Sequence, residues 1–259
     1  MGFDPSQYLE LTLVERVDFS DDLAVFRVRA EQPVDFTPGQ YATLGVRTAE
    51  QDRPLLRPYS VASAPGTRDL EFFIERVEDG ALTSHLWSLD SGATLWMRER
   101  IVGRFVLDQD RRHHVMVATV TGVGPYLSIA RAQQQALAAG RRSTPHRFLI
   151  LHGASRSWEL GTYRERLTSF SQTVDWLDYI PTVSRPWEDS DWAGERGRVE
   201  DVIRKHLDDA GFPLDDTAAY TCGHPKMIDK AQGIFQRVGL PEESIHEEKY
   251  FVERSEASA

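Results

Sequence analysis

His114-Val115-Met116-Val117-Ala118-Thr119-Val120-Thr121-Gly122-Val123-Gly124-Pro125 decides how the second half of this chain folds. An apolar run of strand length passes into two glycines and a proline, and residues 126–139 then read as a helix closed by Gly140. Glycines between a strand and a helix let the backbone approach a pyrophosphate, and the helix N-terminus favours an anion. An ordinary glycine-rich turn has the same composition. Outward from this stretch the rhythm repeats. Apolar runs at 147–152, 174–183, 218–222 and 245–251 alternate with helical patterns at 158–169, 197–210 and 225–238. Strands alternating with helices at this spacing predict βαβ units, hence an α/β doubly wound parallel sheet over residues 111–259.

The first 110 residues read differently. Short β-type runs at 9–17, 23–29, 36–44, 55–62, 70–77, 94–98 and 105–107 are separated by turn residues such as Asp21-Asp22 and Pro38-Gly39. Residues 81–89 are the one helical candidate. This pattern predicts a small antiparallel β-barrel over residues 1–110, joined to the second half near 108–112.

With 259 residues, 41% hydrophobic and 27% charged, the composition is that of a globular protein rather than a disordered one. No apolar run approaches the length that spans a bilayer, and no basic segment followed by an apolar one opens the sequence, so a cytoplasmic location without membrane attachment is expected. A net charge of −10 argues against nucleic acid as a partner. The single cysteine, Cys222, excludes an intrachain disulfide, a cysteine-built zinc site and a four-cysteine iron–sulfur cluster, and no metal site is expected.

Four stretches carry chemistry. Arg57-Pro58-Tyr59-Ser60 sets a fixed cation, a flat aromatic and a hydroxyl on one extended segment stiffened by proline. A ligand anionic at one end and planar at the other, such as a flavin dinucleotide, has the matching shape; an edge strand with an exposed Tyr fits as well. Thr221-Cys222-Gly223-His224-Pro225 repeats the strand–glycine–helix transition, and its Cys is either a small buried hydrophobe or a polarizable group at the ligand crevice. Ser155-Arg156, Ser184-Arg185 and Arg198 fall at neighbouring strand ends, where guanidinium groups suit a ribose 2′-phosphate. Finally, Glu248-Lys249-Tyr250-Phe251 ends the last strand with two aromatics, suited either to core packing or to a platform facing Tyr59.

Taken in order, Arg57-x-Tyr59-Ser60, Gly80-x-Leu82-Thr83, Thr121-Gly122-x-x-Pro125, Cys222-Gly223-x-Pro225-x-Met227 and Glu248-x-Tyr250 resemble the ferredoxin–NADP reductase superfamily. The chain is most similar to its bacterial ferredoxin/flavodoxin–NADP reductases, over residues 8–254. The resemblance implies an FAD-binding barrel followed by an NADP-binding α/β domain. It implies that Arg57 meets the FAD pyrophosphate, that Pro58 belongs to the same cofactor-binding segment, that Tyr59 stacks on one flavin face, and that Ser60 sits near flavin N5. Phe73, Ile74, Glu75 and Arg76 match the strand following the adenosine side, and Ala81, Leu82 and Thr83 match the phosphate-binding turn. Tyr250 matches the aromatic on the opposite flavin face, and Phe251 the terminal aromatic packed toward adenine. Ser60, Cys222 and Glu248 match the polar trio around the nicotinamide. Thr121, Gly122 and Gly223 line the nucleotide path, with Ser155, Arg156, Ser184, Arg185 and Arg198 toward the 2′-phosphate. One departure stands out: Val120 replaces the first glycine of the family's Gly-Thr-Gly.

The implied activity is that of a monomeric flavoenzyme, a ferredoxin/flavodoxin–NADP(+) reductase. It would exchange hydride with NADP(H) and single electrons with ferredoxin or flavodoxin. The alternatives are an NAD(P)H-dependent reductase component of an oxygenase and a non-catalytic flavin-binding sensor.

Overall fold

The computed structural model describes residues 4–48 and 53–250. Its N-terminal part holds strands β1 (Tyr8–Ser20), β2 (Leu23–Val34), β3 (Tyr41–Val46), β4 (Leu55–Ser60), β5 (Thr67–Glu75) and β6 (Thr94–Arg98), with helix α1 (Ala81–Trp87). They form one antiparallel sheet in the order β4-β3-β6-β1-β2-β5. The sheet curls into a half-barrel, and the Ala62 N–H beyond β4 donates to the Glu71 carbonyl on β5 at 2.9 Å. Alternation along the strands decides which face is inside. Leu11 and Leu13 are buried while Thr12 and Val14 face solvent. Each such buried leucine contributes about 1.5–3 kcal/mol. Leu82 and Leu86 of α1 plug this core.

The run 105–107 forms no strand, contrary to expectation. Between β6 and the next sheet, Val102 forms an isolated bridge with Tyr41. Phe105 is buried for another reason: its ring lies 5.9 Å from that of Tyr126 and 5.5 Å from that of Tyr220. The Asp108 N–H donates to the Tyr220 hydroxyl at 2.7 Å, so the apolar residues belong to a connection pinned onto the second half.

That half alternates strands β7 (His113–Thr119), β8 (Arg147–Ala154), β9 (Leu177–Val183), β10 (Glu195–Arg196), β11 (Thr217–Gly223) and β12 (Ile245–Lys249) with helices. The helices are α2 (Gly124–Ala138), α3 (Gly161–Thr173), α4 (Val199–Ala210) and α5 (Pro225–Val238). The parallel sheet has the order β10-β9-β8-β7-β11-β12. Met116, Ala118, Phe148 and Ile150 point into the core shared with α2 and α3, whereas Val115, Val117, Leu149 and Leu151 point to α4 and α5. Burial on both faces explains why these strands are continuous apolar runs. The expected helix at 158–169 begins later, because Ser157–Leu160 forms a 3₁₀ turn and Gly161 turns the chain at φ +57°. The helix consequently runs to Thr173 and β9 starts only at Leu177. Strand order reverses between β7 and β11, the position at which open parallel sheets bind ligands.

Candidate active site

Both glycine turns meet at that reversal. A Cβ on Gly122 would lie 2.3 Å from the Cys222 carbonyl, so only glycine lets the turn after β7 pack against the end of β11. Gly223, at φ +121°, faces the Thr119 hydroxyl at a similarly closed distance. Val120 occupies the left-handed region at φ +43°, a conformation costing a β-branched residue on the order of 1–2 kcal/mol. Its carbonyl accepts from His152 Nε2 at 2.8 Å, while His152 Nδ1 accepts from the Tyr179 hydroxyl at 2.9 Å. This buried imidazole fixes the strained turn, and burial lowers its pKa to about 4. Nothing in the isolated sequence pairs residues 120 and 152; only adjacency of β7 and β8 does.

The two halves touch at this point. Ser60, at the end of β4, donates to Glu248 on β12 at 2.8 Å. The Tyr250 hydroxyl lies 3.4 Å from both the Ser60 hydroxyl and the Thr121 carbonyl, and the Tyr250 N–H donates to the Gly223 carbonyl at 3.3 Å. Cys222 pairs in register with Glu248 and is fully buried. Burial, then the neighbouring Glu248 charge, push the Cys222 thiol well above its ordinary pKa, which keeps it a neutral thiol rather than a nucleophile. Burial also raises Glu248, against the opposing bond from Ser60. Ser60, Thr121, Gly122, Cys222, Gly223, Glu248 and Tyr250 thus converge from both halves. Tyr59 packs on the half-barrel core, and Tyr250 packs on the core that joins the two halves.

Around this cleft the remaining residues separate. Arg57, half-buried, sits opposite Leu44 on β3, and Pro58 is exposed. Ala81 is exposed while Leu82 and Thr83 are buried; Thr83 Oγ1 accepts from the Val77 N–H at 3.2 Å, fixing the turn before α1. Among the described residues no side chain caps α1, so the amide N–H groups of its first turn remain as donors. Phe73 and Ile74 are buried, Phe73 against Phe19 and Tyr163, and Glu75 and Arg76 are exposed at the strand end. Phe251 lies outside the described residues. The Arg57 guanidinium on β4 and the first-turn amides of the adjacent α1 suit a diphosphate, and Tyr59 with the Ser60–Glu248 hydroxyl–carboxyl pair suits a planar ring with a polar edge, so the groups present fit a flavin dinucleotide.

Ser155, Arg156, Ser184, Arg185 and Arg198 do gather at neighbouring strand ends. The Ser184 N–H donates to the Ala154 carbonyl at 3.0 Å and the Arg185 N–H to the Ser155 carbonyl at 2.9 Å. Arg156 is paired there with Glu159 and Glu188.

A second junction was invisible in the motifs. Glu71 on β5 is 6% exposed and accepts from the Tyr163 hydroxyl at 3.0 Å and from Arg166 at 2.9 Å, both on α3. Arg27 on β2 at 3.4 Å and Arg131 on α2 at 3.6 Å complete the cage. The signal was a lone charge within the apolar run Leu70-Glu71-Phe72-Phe73-Ile74.

Comparison with known proteins agrees with this architecture. The oxidoreductase FAD-binding domain family matches residues 10–105, and the oxidoreductase NAD-binding domain family matches residues 116–233. A ferredoxin–NADP reductase of Azotobacter vinelandii is 29% identical over 246 residues, 88% of this chain and 90% of that one. Ferredoxin–NADP reductase B of Sorangium cellulosum is 32% identical over 204 residues, 75% of this chain and 78% of that one. Oxygenase reductase components, such as that of a Pseudomonas putida naphthalene 1,2-dioxygenase system, are also similar. The crystal structure of a Neisseria gonorrhoeae ferredoxin NADP+ reductase with bound FAD and NADP shares the fold, with a TM-score of 0.78 at 21% identity over 95% of this chain and 99% of that one. A half-barrel joined to a doubly wound sheet, with both domain families matched in order and a relative above 30% identity, places the chain in the ferredoxin reductase family of FAD- and NAD(P)-binding oxidoreductases.

Proposed function

We propose that this protein is a ferredoxin/flavodoxin–NADP(+) reductase, exchanging hydride with NADP(H) and single electrons with a ferredoxin or flavodoxin. The carrying observation is the Ser60–Glu248 hydrogen bond at 2.8 Å, which joins the FAD-side strand to the nucleotide-side strand where Cys222, Thr121 and Tyr250 converge. In this reading residues 1–110 form the FAD-binding unit and residues 111–259 the NADP(H)-binding unit. Arg57 and the first-turn amides of Ala81, Leu82 and Thr83 hold the FAD diphosphate, and Tyr59 holds the ring. When bound, FAD supplies the conversion between two-electron and one-electron chemistry.

The chain's own residues position and shield. Glu248, raised by burial, holds a proton against Ser60 more readily than an exposed carboxylate, so this pair can relay a proton at the carboxyl oxygen. Cys222, neutral and packed, offers a polarizable wall without competing as a nucleophile. Tyr250 covers the cleft from the nucleotide side and must yield its place when nicotinamide enters. Thr121 and Gly122 present backbone to the pyrophosphate. Among the described residues no helix is long and apolar enough to cross a membrane.

The test is NADPH oxidation by the FAD-loaded protein with ferricyanide, then with ferredoxin or flavodoxin coupled to cytochrome c. Carrier-dependent cytochrome reduction is expected. Bound FAD with negligible turnover would identify a sensor instead. A second reading, the NADH-dependent reductase of an oxygenase, is favoured by one observation: Arg156 is already engaged by Glu159 and Glu188. Faster turnover with NADH than with NADPH is its signature.

A further inference from the structure

The carboxyl ends of β8, β9 and β10 carry Arg156, Arg185 and Arg198, yet each faces a carboxylate of its own chain. Glu159 is built into the backbone. One oxygen accepts the Ser155 N–H at 2.8 Å and the Arg156 N–H at 3.3 Å, and the other accepts from Arg156 Nη1 at 3.1 Å. Glu188 is different. It ends the short turn Pro186–Glu188, is exposed, and among the described residues its carboxylate meets only guanidiniums. Arg156 Nε donates to it at 2.5 Å, and Arg185 Nη1 lies 3.7 Å from its other oxygen.

We infer that Glu188 sets nucleotide selectivity: it occupies the two guanidiniums that a ribose 2′-phosphate needs, so the chain discriminates little between NADPH and NADH. This rests on reading these strand ends as the nucleotide site. A 2′-phosphate carries a charge of about −1.5 to −2 and pairs best with a bidentate guanidinium. To reach Arg156 it must displace Glu188 and then lie beside both Glu188 and Glu159, like charge against like. A 2′-hydroxyl meets no such opposition and has Ser155 and Ser184 within the same rim. Because the Glu188 pairs are exposed, and exposed pairs are weak, the phosphate is disfavoured rather than excluded. Glu159, held by two amides, stays in place whichever nucleotide binds.

Isothermal titration of the purified full-length protein with 2′,5′-ADP and with 5′-AMP tests this without redox chemistry. Wild type is expected to bind the two within about fivefold of each other, and Glu188→Gln to tighten 2′,5′-ADP about tenfold while leaving 5′-AMP unchanged. A wild-type preference for 2′,5′-ADP of about a hundredfold, or an unchanged ratio in Glu188→Gln, overturns the inference while leaving the nucleotide site standing. Failure of both ligands to bind overturns the nucleotide reading itself, and the inference with it.

Discussion

Glu71 and Glu248 are both glutamates on strands where the two halves meet, and their surroundings are opposite. Glu71 is buried among Arg27, Arg131 and Arg166 with a tyrosine hydroxyl, so permanent cations from both halves compensate its charge. Glu248 has a hydroxyl, a thiol and a tyrosine about it; it accepts from Ser60 at 2.8 Å, and burial raises its pKa. A caged carboxylate fixes how two bodies sit; an uncompensated one keeps a proton state that chemistry can use. One interface therefore holds a lock and a working group some distance apart, with the same residue type in each.

The comparison can be broken in four ways. Glu71→Leu leaves three guanidiniums facing apolar surface, and urea unfolding should show a loss of about 3–5 kcal/mol. A loss below 1 kcal/mol on that scale would make the cage ornamental. His152, buried like Glu248 without a compensating charge, gives the next largest effect. Its pKa is depressed from 6.5 to about 4, so its stability contribution is present above 6.5 and is lost as pH falls toward about 4. His152→Gln should flatten that acid limb by about 2–3 kcal/mol, read from urea midpoints against pH; parallel limbs would contradict the assignment.

Glu248→Gln should slow reduction by NADPH at least tenfold, about 1.4 kcal/mol, with flavin content unchanged. Its stability effect has the opposite pH sense. A raised carboxyl contributes stability below its unfolded range and loses it as pH rises through the folded value, so the variant gains on wild type at neutral pH and not in acid. A slowing equal in Glu71→Gln and Glu248→Gln would erase the distinction between them. The smallest effect is Tyr250→Ser, expected to lower KM and kcat for NADPH together by about threefold to tenfold, through tighter nicotinamide binding and slower release. An unchanged KM would remove Tyr250 from the nucleotide's path.

The parallel sheet was legible because strands buried on both faces must be apolar throughout, as Phe148-Leu149-Ile150-Leu151 is. The run 105–107 misled for the same reason: burial against Tyr126 and Tyr220 makes a connection apolar without making it a strand. β10 was missed because two residues carry no period. In the site, Ser60, Cys222, Glu248 and Tyr250 could be marked from the family resemblance their motifs carry, and Gly122 and Gly223 from their place between strand and helix. The pairing of Arg156 with Glu188 could not, since Glu188 lies 32 residues away and reaches it only through the neighbouring strand end. Val120 looked like a lost glycine; its left-handed backbone is kept, held by His152.

The most direct test is the visible spectrum of the purified protein under anaerobic addition of NADPH and NADH. The twin absorption bands of oxidised flavin, bleached by reduced nucleotide and restored by a ferredoxin or flavodoxin, are the predicted result. A colourless protein that takes up no FAD, or bands that neither nucleotide bleaches, would contradict it.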